Sequence, residues 1–330
     1  MSRSTKYLIL LMLVISTTAP ESSHAQQSAQ CLAVITEING KVIYKAVGIS
    51  QFTKAVWGTR LFNGDQISTD DKSEVKLLYA DNSFTTVGPN SMLTISGPES
   101  VASGKAGDIK TVSSAIGVNF SALTFRKPEK KDAGALAGVR SADFEPAIVL
   151  ESPYSTTIRT DRPAFCWISS VAYDSYSVNL YNSKGLVWSK KVTEAKLRYP
   201  DDEKGLEFGE SYFWNVEGEY LINTDKSSNH KFTVLTTERS NEVKGKEISI
   251  RNTFKNEPES SSLHSLLGAF FMDQGLLEDA ITEFQIISNI NADAPMPHEI
   301  IGSLYSEVGE KDKAIEELKK ALALADKKDN

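Results

Sequence analysis

The sequence predicts a multidomain β + α protein, with two all-β domains followed by a short α-helical repeat. Two series of short runs alternate apolar and polar residues between Asn, Asp and Gly turns, which is typical of β-hairpins. Near the C-terminus the apolar period changes to that of a helix, and the sequence repeats itself every 34 residues. The predicted segments are an export signal (1–25), a first β domain (31–126), a linker (127–147), a second β domain (148–236), a second linker (237–258) and the repeats (259–326).

The first 25 residues have the order of a secretory signal peptide. Two basic residues precede an apolar run over residues 7–15, which is far shorter than the ~20 residues that span a bilayer. Small residues precede the bond between Ala25 and Gln26, so the mature chain is expected to begin at Gln26. The sequence therefore predicts a periplasmic or secreted protein. An uncleaved membrane anchor and a lipid attached to Cys31 are the alternatives.

The charge balance excludes two classes of partner. The chain has 330 residues and a net charge of −7. No segment combines a dense Lys/Arg stripe with aromatic side chains, so nucleic acid is not an expected partner. The acidic balance also disfavours docking on anionic lipid. Cys31 and Cys166 fall in different predicted domains; a disulfide is chemically possible after export, and two free thiols are the simpler expectation.

The first β domain carries turn residues in a characteristic order. These are Gly40, Gly58, the pair Gly64-Asp65, and Asp81 at the start of an Asp-Asn-Ser turn. With the apolar runs between them they resemble the periplasmic domain of FecR-family proteins over residues 33–95. The resemblance implies an all-β domain. FecR proteins carry a cytoplasmic sigma-factor-binding segment where this sequence has its predicted signal peptide, so that activity is not expected here.

The second β domain is rich in aromatic residues at alternating positions. Phe165 and Trp167 are expected on the same face of one strand, and Trp167 and Trp214 are expected in the core. Trp57, in the first domain, and Trp188 adjoin glycine or charged positions and are the candidates for an exposed sugar-stacking surface. Short strands with regular turns favour a small sandwich, and this stretch resembles immunoglobulin or fibronectin-like modules.

The C-terminal repeat shows the same residue types in one register. The packing positions Gly268, Phe271, Ala280 and Phe284 recur 34 residues later as Gly302, Tyr305, Ala314 and Leu318. The pattern resembles the tetratricopeptide repeat, which implies paired helices stacked side by side. Two repeats are fewer than the roughly three that make a self-sufficient stack. The exposed end is therefore expected to be covered by the second β domain, by self-association or by a partner protein.

The sequence offers little for catalysis or metal binding. His230, His264 and His298 have no further ligand residue at a metal-binding spacing. Neither a nucleophile elbow nor a phosphate-binding glycine loop is present. No catalytic residue, metal site or cofactor is therefore predicted, and the protein is not expected to be an enzyme.

The leading functional hypothesis is an exported scaffold of the bacterial cell envelope that contacts partner proteins through its helical repeats. At the concave positions of the repeat family the sequence has Ser265, Phe270, Glu299 and Ser303, a mixed surface suited to a peptide or loop. Two alternatives remain open. In the first alternative, the β domains bind peptidoglycan or another envelope glycan. In the second, the protein is the periplasmic input component of an envelope signalling system.

Overall fold

The computed structural model describes residues 30–96, 101–102, 109–113, 123 and 146–328. The predicted signal peptide (1–25) lies outside the described residues, as does nearly all of the predicted linker 127–147. The described chain forms two β units followed by helices, which confirms the predicted order of β and α structure. Among the helices that the structure describes, none combines the length and apolarity that a membrane crossing requires.

The first β unit is built from short antiparallel strands. Its described strands are β1 (Ala33–Asn39), β2 (Val42–Lys45), β3 (Thr53–Lys54), β4 (Arg60–Leu61), β5 (Gln66–Thr69), β6 (Glu74–Tyr79), β7 (Ser83–Val87), β8 (Met92–Thr94), β9 (Val101–Ala102) and β10 (Ile109–Ser113). One sheet has the order β10-β7-β6-β1-β4 and the other has the order β3-β2-β5-β8-β9. Ile35 and Leu77 from the first sheet and Ile67 from the second are buried in one cluster, so the two sheets share a core.

The predicted turn residues of this unit lie at the bends between strands. Gly40 (φ 76°) and Gly64 (φ 89°) adopt left-handed backbone conformations. Asp65 is buried, and its carboxylate accepts hydrogen bonds from two loop amides at 2.8 and 2.9 Å. The Asp81 carboxylate accepts a bond from the amide two residues further on, at 2.9 Å. All four residues therefore act on the local turn geometry.

The second β unit is a sandwich of two sheets. Its described strands are β11 (Ile148–Ser152), β12 (Thr157–Ile158), β13 (Ala164–Ser169), β14 (Ser175–Asn182), β15 (Gly185–Val192), β16 (Lys196–Arg198), β17 (Ser211–Tyr220), β18 (Asn223–Lys226) and β19 (His230–Val234). The smaller sheet has the order β11-β13-β16, and the larger has the order β12-β19-β17-β14-β15 with β18 paired to β17. Phe165, Trp167 and Trp214 are buried in the core between the sheets, as the alternation predicts.

The two tryptophans named as surface candidates are buried. Trp188 lies opposite Leu180 in the ladder of β14 and β15, faces the core, and stacks on Phe165 with ring centroids 6.3 Å apart. Trp57 is only 1% exposed, because the helices described below cover its loop. Neither candidate position therefore offers an exposed tryptophan for stacking on a sugar.

The C-terminal part of the described chain is helical. Its helices are α1 (Thr237–Thr253), α2 (Ser261–Asp273), α3 (Leu277–Ile290), α4 (Pro295–Glu307) and α5 (Lys311–Lys328). The first of them corrects the prediction of a linker at 237–258. Thr236 caps α1 by accepting a hydrogen bond from the amide of Arg239. The buried residues of α1 are Val243 and Ile250, and its other positions are mostly polar, so the sequence has almost no apolar period to reveal the helix.

Helices α2 to α5 form two hairpins that repeat the same contacts. Gly268 of α2 lies so close to Phe284 of α3 that an added Cβ would be 2.8 Å from the ring. Gly302 of α4 lies equally close to Leu318 of α5, at 2.8 Å. Phe271, Ala280, Tyr305 and Ala314 are also buried. The glycines thus allow the close approach of the two helices in each hairpin.

Candidate functional site

The helical hairpins share a core with the first β unit. Trp57, between β3 and β4, donates its indole N–H to Oγ of Ser265 in α2, 3.2 Å away. Its ring packs edge-on against Phe284 of α3, with centroids 6.5 Å apart. The hydroxyl oxygens of Thr36 and Ser262 lie 2.9 Å apart, and neither residue is accessible to solvent. These polar contacts satisfy the buried groups of an interface that excludes water.

The sandwich contacts the same helices from another side. Arg159, which follows β12, pairs with Asp279 of α3 at 2.8 Å and with Glu247 of α1. Its guanidinium carbon also lies 5.0 Å from the centre of the Phe271 ring. One arginine therefore joins the sandwich to α1, α2 and α3, through charge and through its planar face.

A cleft of about 510 Å³ lies between the sandwich and the hairpins. The end of β11 and the loop after it form one wall, and α3, α4 and α5 form the other. The charged and aromatic side chains that line it include Glu151, Tyr154, Glu278, Tyr305, Lys313 and Glu316. Clefts at the contact of two domains are common ligand sites, so we treat this cleft as the candidate functional site.

Lys313 contacts several of the other side chains that line the cleft. Its Nζ donates to Oε1 of Glu151 at 2.7 Å and to the hydroxyl oxygen of Tyr154 at 3.1 Å. The same ammonium group lies 5.1 and 5.7 Å from the ring centres of Tyr154 and Tyr305. The two rings meet edge to face at 5.8 Å. The lysine is thus held by its own neighbours. The described lining residues carry more carboxylates than cations, and Lys320 pairs with two of those carboxylates, Glu316 and Glu317.

Glu278 is a half-buried carboxylate of the cleft. It lies in the first turn of α3 and accepts hydrogen bonds from Oγ of Ser152 and from the amide of Tyr154. Burial raises the pKa of Glu278 above its usual range. Glu310, whose carboxylate lies 3.4 Å from Nε2 of His230, also has its pKa raised by burial. Burial lowers the pKa of His230. Protonation at this junction is therefore costly for the histidine and favourable for both carboxylates.

The four residues predicted to contact a partner do not form one open surface. Ser265 and Phe270 are buried in the core of the helices and the first β unit, so neither side chain is accessible to a separate protein. Glu299 and Ser303 are half-buried. Glu299 lines a smaller cleft of about 310 Å³, beside Gly58, where α4 approaches the first β unit. Ser265 and Phe270 are inaccessible because the first β unit of the same chain packs at the place where the repeat pattern predicted a partner protein.

Sequence reasoning missed the residues of the larger cleft. Lys313 and Glu151 are 162 positions apart, and they meet only because the sandwich packs on the hairpins. Glu278 and Asp279 are visible as an acidic pair at the start of a predicted helix. Acidic residues are common there because they interact favourably with the helix dipole, so the pair alone did not indicate a site.

No protein-family model matches the sequence, and no curated protein matches it. Among solved structures, the chain is similar to the fn3 domain of human collagen alpha-1(XX), with TM-score 0.22, 15% identity, and coverage of 31% of this chain and 94% of that chain. It is similar to the FN1–FN3 domains of chicken CNTN1, with TM-score 0.21, 9% identity, and coverage of 61% and 56%. It is also similar to a β-1,2-glucanase from Parabacteroides distasonis, with TM-score 0.23, 11% identity, and coverage of 89% and 59%. Scores this low establish neither a shared overall fold nor a shared activity.

Proposed function

We propose that this chain is an exported, non-catalytic binding protein of the bacterial cell envelope, whose helical hairpins join two β modules into one body. The observation that carries the proposal is the burial of an aromatic side chain from each β module against the same hairpins. Trp57 packs on Phe284, and Tyr154 packs on Tyr305. In this arrangement the hairpins bind the two β modules of their own chain, and the larger cleft is left as the contact site for a partner.

The proposal assigns each module by its resemblance. The first β unit is FecR-like, the sandwich is immunoglobulin or fibronectin-like, and the hairpins are of the tetratricopeptide type. The matched contacts of Gly268 with Phe284 and of Gly302 with Leu318 support the last assignment, since they recur at the repeat spacing of 34 residues. The left-handed Gly64 and the buried Asp65 support the first.

The partner that fits the cleft is an extended protein segment carrying Lys or Arg. Four carboxylates line the cleft, and among the lining residues that the structure describes the cation is Lys313, which is bonded to Glu151. Lys320, outside the lining, pairs with Glu316 and Glu317, so carboxylates still outnumber the cations that pair with them. Thr282 and Gln285, exposed on α3, add a hydroxyl and an amide, which donate to the carbonyl of Glu278 and to the hydroxyl of Tyr305. Their oxygen atoms can still accept hydrogen bonds from the backbone of such a segment. A negatively charged concave site of this size attracts a basic segment and orients it through hydrogen bonds.

Thr282→Arg tests this assignment, because it places a cation at the exposed rim of the cleft without changing a buried contact. Thr253→Arg is the matched control. Each threonine donates its hydroxyl to the carbonyl four residues earlier, at 3.0 Å for Thr282 and 3.1 Å for Thr253. Thr253 lies on α1, away from the larger cleft.

The measurement is chemical cross-linking in the native envelope followed by capture of the tagged chain. We expect Thr282→Arg to lose the proteins that the wild type and Thr253→Arg retain. Capture of the same proteins by all three forms would refute the cleft as the contact site. N-terminal sequencing of the captured chain tests export separately, with Gln26 as the expected first residue.

A further inference from the structure

The turn between β17 and β18 carries two aliphatic side chains that contact solvent almost completely. Tyr220 and Asn223 pair across the hairpin, so Leu221 and Ile222 alone form its two-residue loop. Leu221 is 91% exposed and Ile222 is 97% exposed, more than any other large apolar residue that the structure describes. A two-residue β-turn is usually built from Asn, Asp and Gly, so this composition is unusual.

The backbone makes the choice of residues more unusual still. Leu221 has φ 51°, in the left-handed region that bulky side chains avoid. Its amide donates to Oδ2 of Asp174 at 3.3 Å, which ties the strained residue to the loop before β14. Of the two turn residues only Leu221 has a positive φ, so a Gly-Asn pair would suit this backbone better and would remove two apolar side chains from water. Strain and exposure together indicate that the pair serves contact with something outside the chain.

The surroundings of the turn define what it contacts. Val171 and Ala172 add exposed apolar surface from the loop before β14. Behind them, the rings of Tyr173 and Tyr220 meet edge to face with centroids 5.4 Å apart. Residues 170–174 and 219–225 contain no Lys or Arg. The turn therefore has an aliphatic apex, two tyrosines behind it and no cation of its own.

We propose that Leu221 and Ile222 insert into the surface of an electrically neutral phospholipid bilayer. A convex turn with two large side chains is far smaller than the about 800 Å² per partner that a stable protein interface buries. A lipid bilayer does not need a surface of complementary shape, because transfer of each apolar side chain from water into the bilayer is favourable at any point of the membrane. Tyrosine is enriched where a membrane meets water. The carboxylates of Asp174 and Asp225 disfavour anionic lipid.

The turn lies at the end of the sandwich that is far from the start of α1. β17 runs from Ser211, near the start of α1, to Tyr220 at the turn, a span of roughly 30 Å at the usual rise per residue. The start of α1 therefore lies at the end of this strand opposite to the inserted side chains. The inference does not depend on the proposed role of the cleft.

Co-sedimentation of the chain comprising residues 26–330 with phosphatidylcholine vesicles tests the inference. The variant Leu221→Gly/Ile222→Asn removes the aliphatic apex and places glycine at the left-handed position, so it is expected to unfold at the same temperature as the wild type or higher. The matched control is Leu186→Asn/Val187→Asn, which removes two exposed aliphatic residues at the opposite end of the sandwich.

We expect the wild type and the control to bind the vesicles equally, and the turn variant to bind at least about tenfold more weakly. Vesicles containing phosphatidylglycerol are expected to bind no more strongly than phosphatidylcholine alone. Three results would overturn the inference: no sedimentation of the wild type, an equal loss in the control, or self-association in sedimentation velocity that the turn variant abolishes without any vesicle binding. The last would make a second copy of the chain the occupant.

Discussion

The indole N–H of Trp57 donates to Oγ of Ser265, 3.2 Å away, across the contact between the first β unit and helix α2. Trp57 is 1% exposed and Ser265 is fully buried, so this bond is made inside a core. The serine also donates to the carbonyl of Ser261, at 2.6 Å. A buried hydrogen bond between two modules couples their stabilities, so we expect the first β unit and the helices to fold and unfold together.

Trp57→Ala is expected to destabilise the chain by about 3–5 kcal/mol, because it removes a large side chain from a packed core and leaves a cavity. Trp57→Phe keeps most of the ring and loses the indole N–H, so it is expected to cost less. Urea unfolding followed by far-ultraviolet circular dichroism measures both. A loss below about 1 kcal/mol for Trp57→Ala would show that the β unit and the helices pack loosely.

Gly58→Ala and Gly48→Ala separate backbone strain from helix docking. Both glycines have φ 80°, so an added side chain is strained equally in each. A Cβ on Gly58 would lie 2.5 Å from Sδ of Met296 in α4, whereas a Cβ on Gly48 meets nothing within 4 Å. We expect Gly58→Ala to lose about 1–3 kcal/mol more than Gly48→Ala in thermal or urea unfolding. Equal losses would indicate that α4 moves away from this loop at little cost.

The two hairpins contain the same His–Glu pair in different surroundings. Nδ1 of His264 lies 2.6 Å from Oε2 of Glu283, and Nδ1 of His298 lies 2.6 Å from Oε2 of Glu317. The side chains of the first pair are 7% and 9% exposed, and both side chains of the second are 15% exposed. His264→Ala is therefore expected to cost about 3–5 kcal/mol, since it leaves a buried carboxylate without this partner. His298→Ala is expected to cost less, about 1–3 kcal/mol.

Urea unfolding of the two alanine variants at one pH measures the difference. A larger loss for His298→Ala would contradict the order of burial. Double-mutant cycles with Glu283→Gln and Glu317→Gln would then give the coupling energy of each pair directly.

Burial of Glu278 makes stability depend on pH. A carboxyl whose folded pKa lies above its unfolded value stabilises the fold when protonated, and that contribution is lost as pH rises from the ordinary value of 4.5 through the raised pKa. Glu278→Gln keeps an acceptor for Ser152 and Tyr154 and does not ionise. We therefore expect this variant to exceed the wild type in stability at neutral pH, with the difference vanishing in acid.

Glu316→Gln is the control of opposite sign. Lys320 lowers the pKa of Glu316, so its contribution is present above the ordinary pKa and is lost as pH falls through the lowered value. This variant is expected to gain nothing at neutral pH. Unfolding free energies measured between about pH 4 and about pH 8 test both variants. A Glu278→Gln curve parallel to that of the wild type would show that the carboxyl is not enclosed.

Local sequence patterns were sufficient for most strands and for the four repeat helices. Alternation placed Phe165 and Trp167 inward correctly, because a strand turns successive side chains to opposite faces. The repeat placed Gly268 and Gly302 at close helix contacts, because only a small residue fits there. Helix α1 had no such signal, since its stability depends on Val243, Ile250 and contacts with other elements.

Local sequence patterns did not predict which surfaces of the modules pack against one another. Trp57 lies in the short loop between β3 and β4, beside Gly58, and it is buried only because α2 and α3 cover it. The same packing encloses Ser265, which the repeat pattern placed on a binding surface. The cleft arises likewise from the contact of the sandwich with α3 and α5, which no spacing along the chain encodes.

Differential scanning calorimetry of residues 26–330 tests the central claim most directly, which is that the hairpins and both β modules unfold as one body. We predict a single transition whose calorimetric and van't Hoff enthalpies agree, and which Trp57→Ala shifts as a whole to lower temperature. Separate transitions for the β modules, with Trp57→Ala moving only one of them, would contradict the claim.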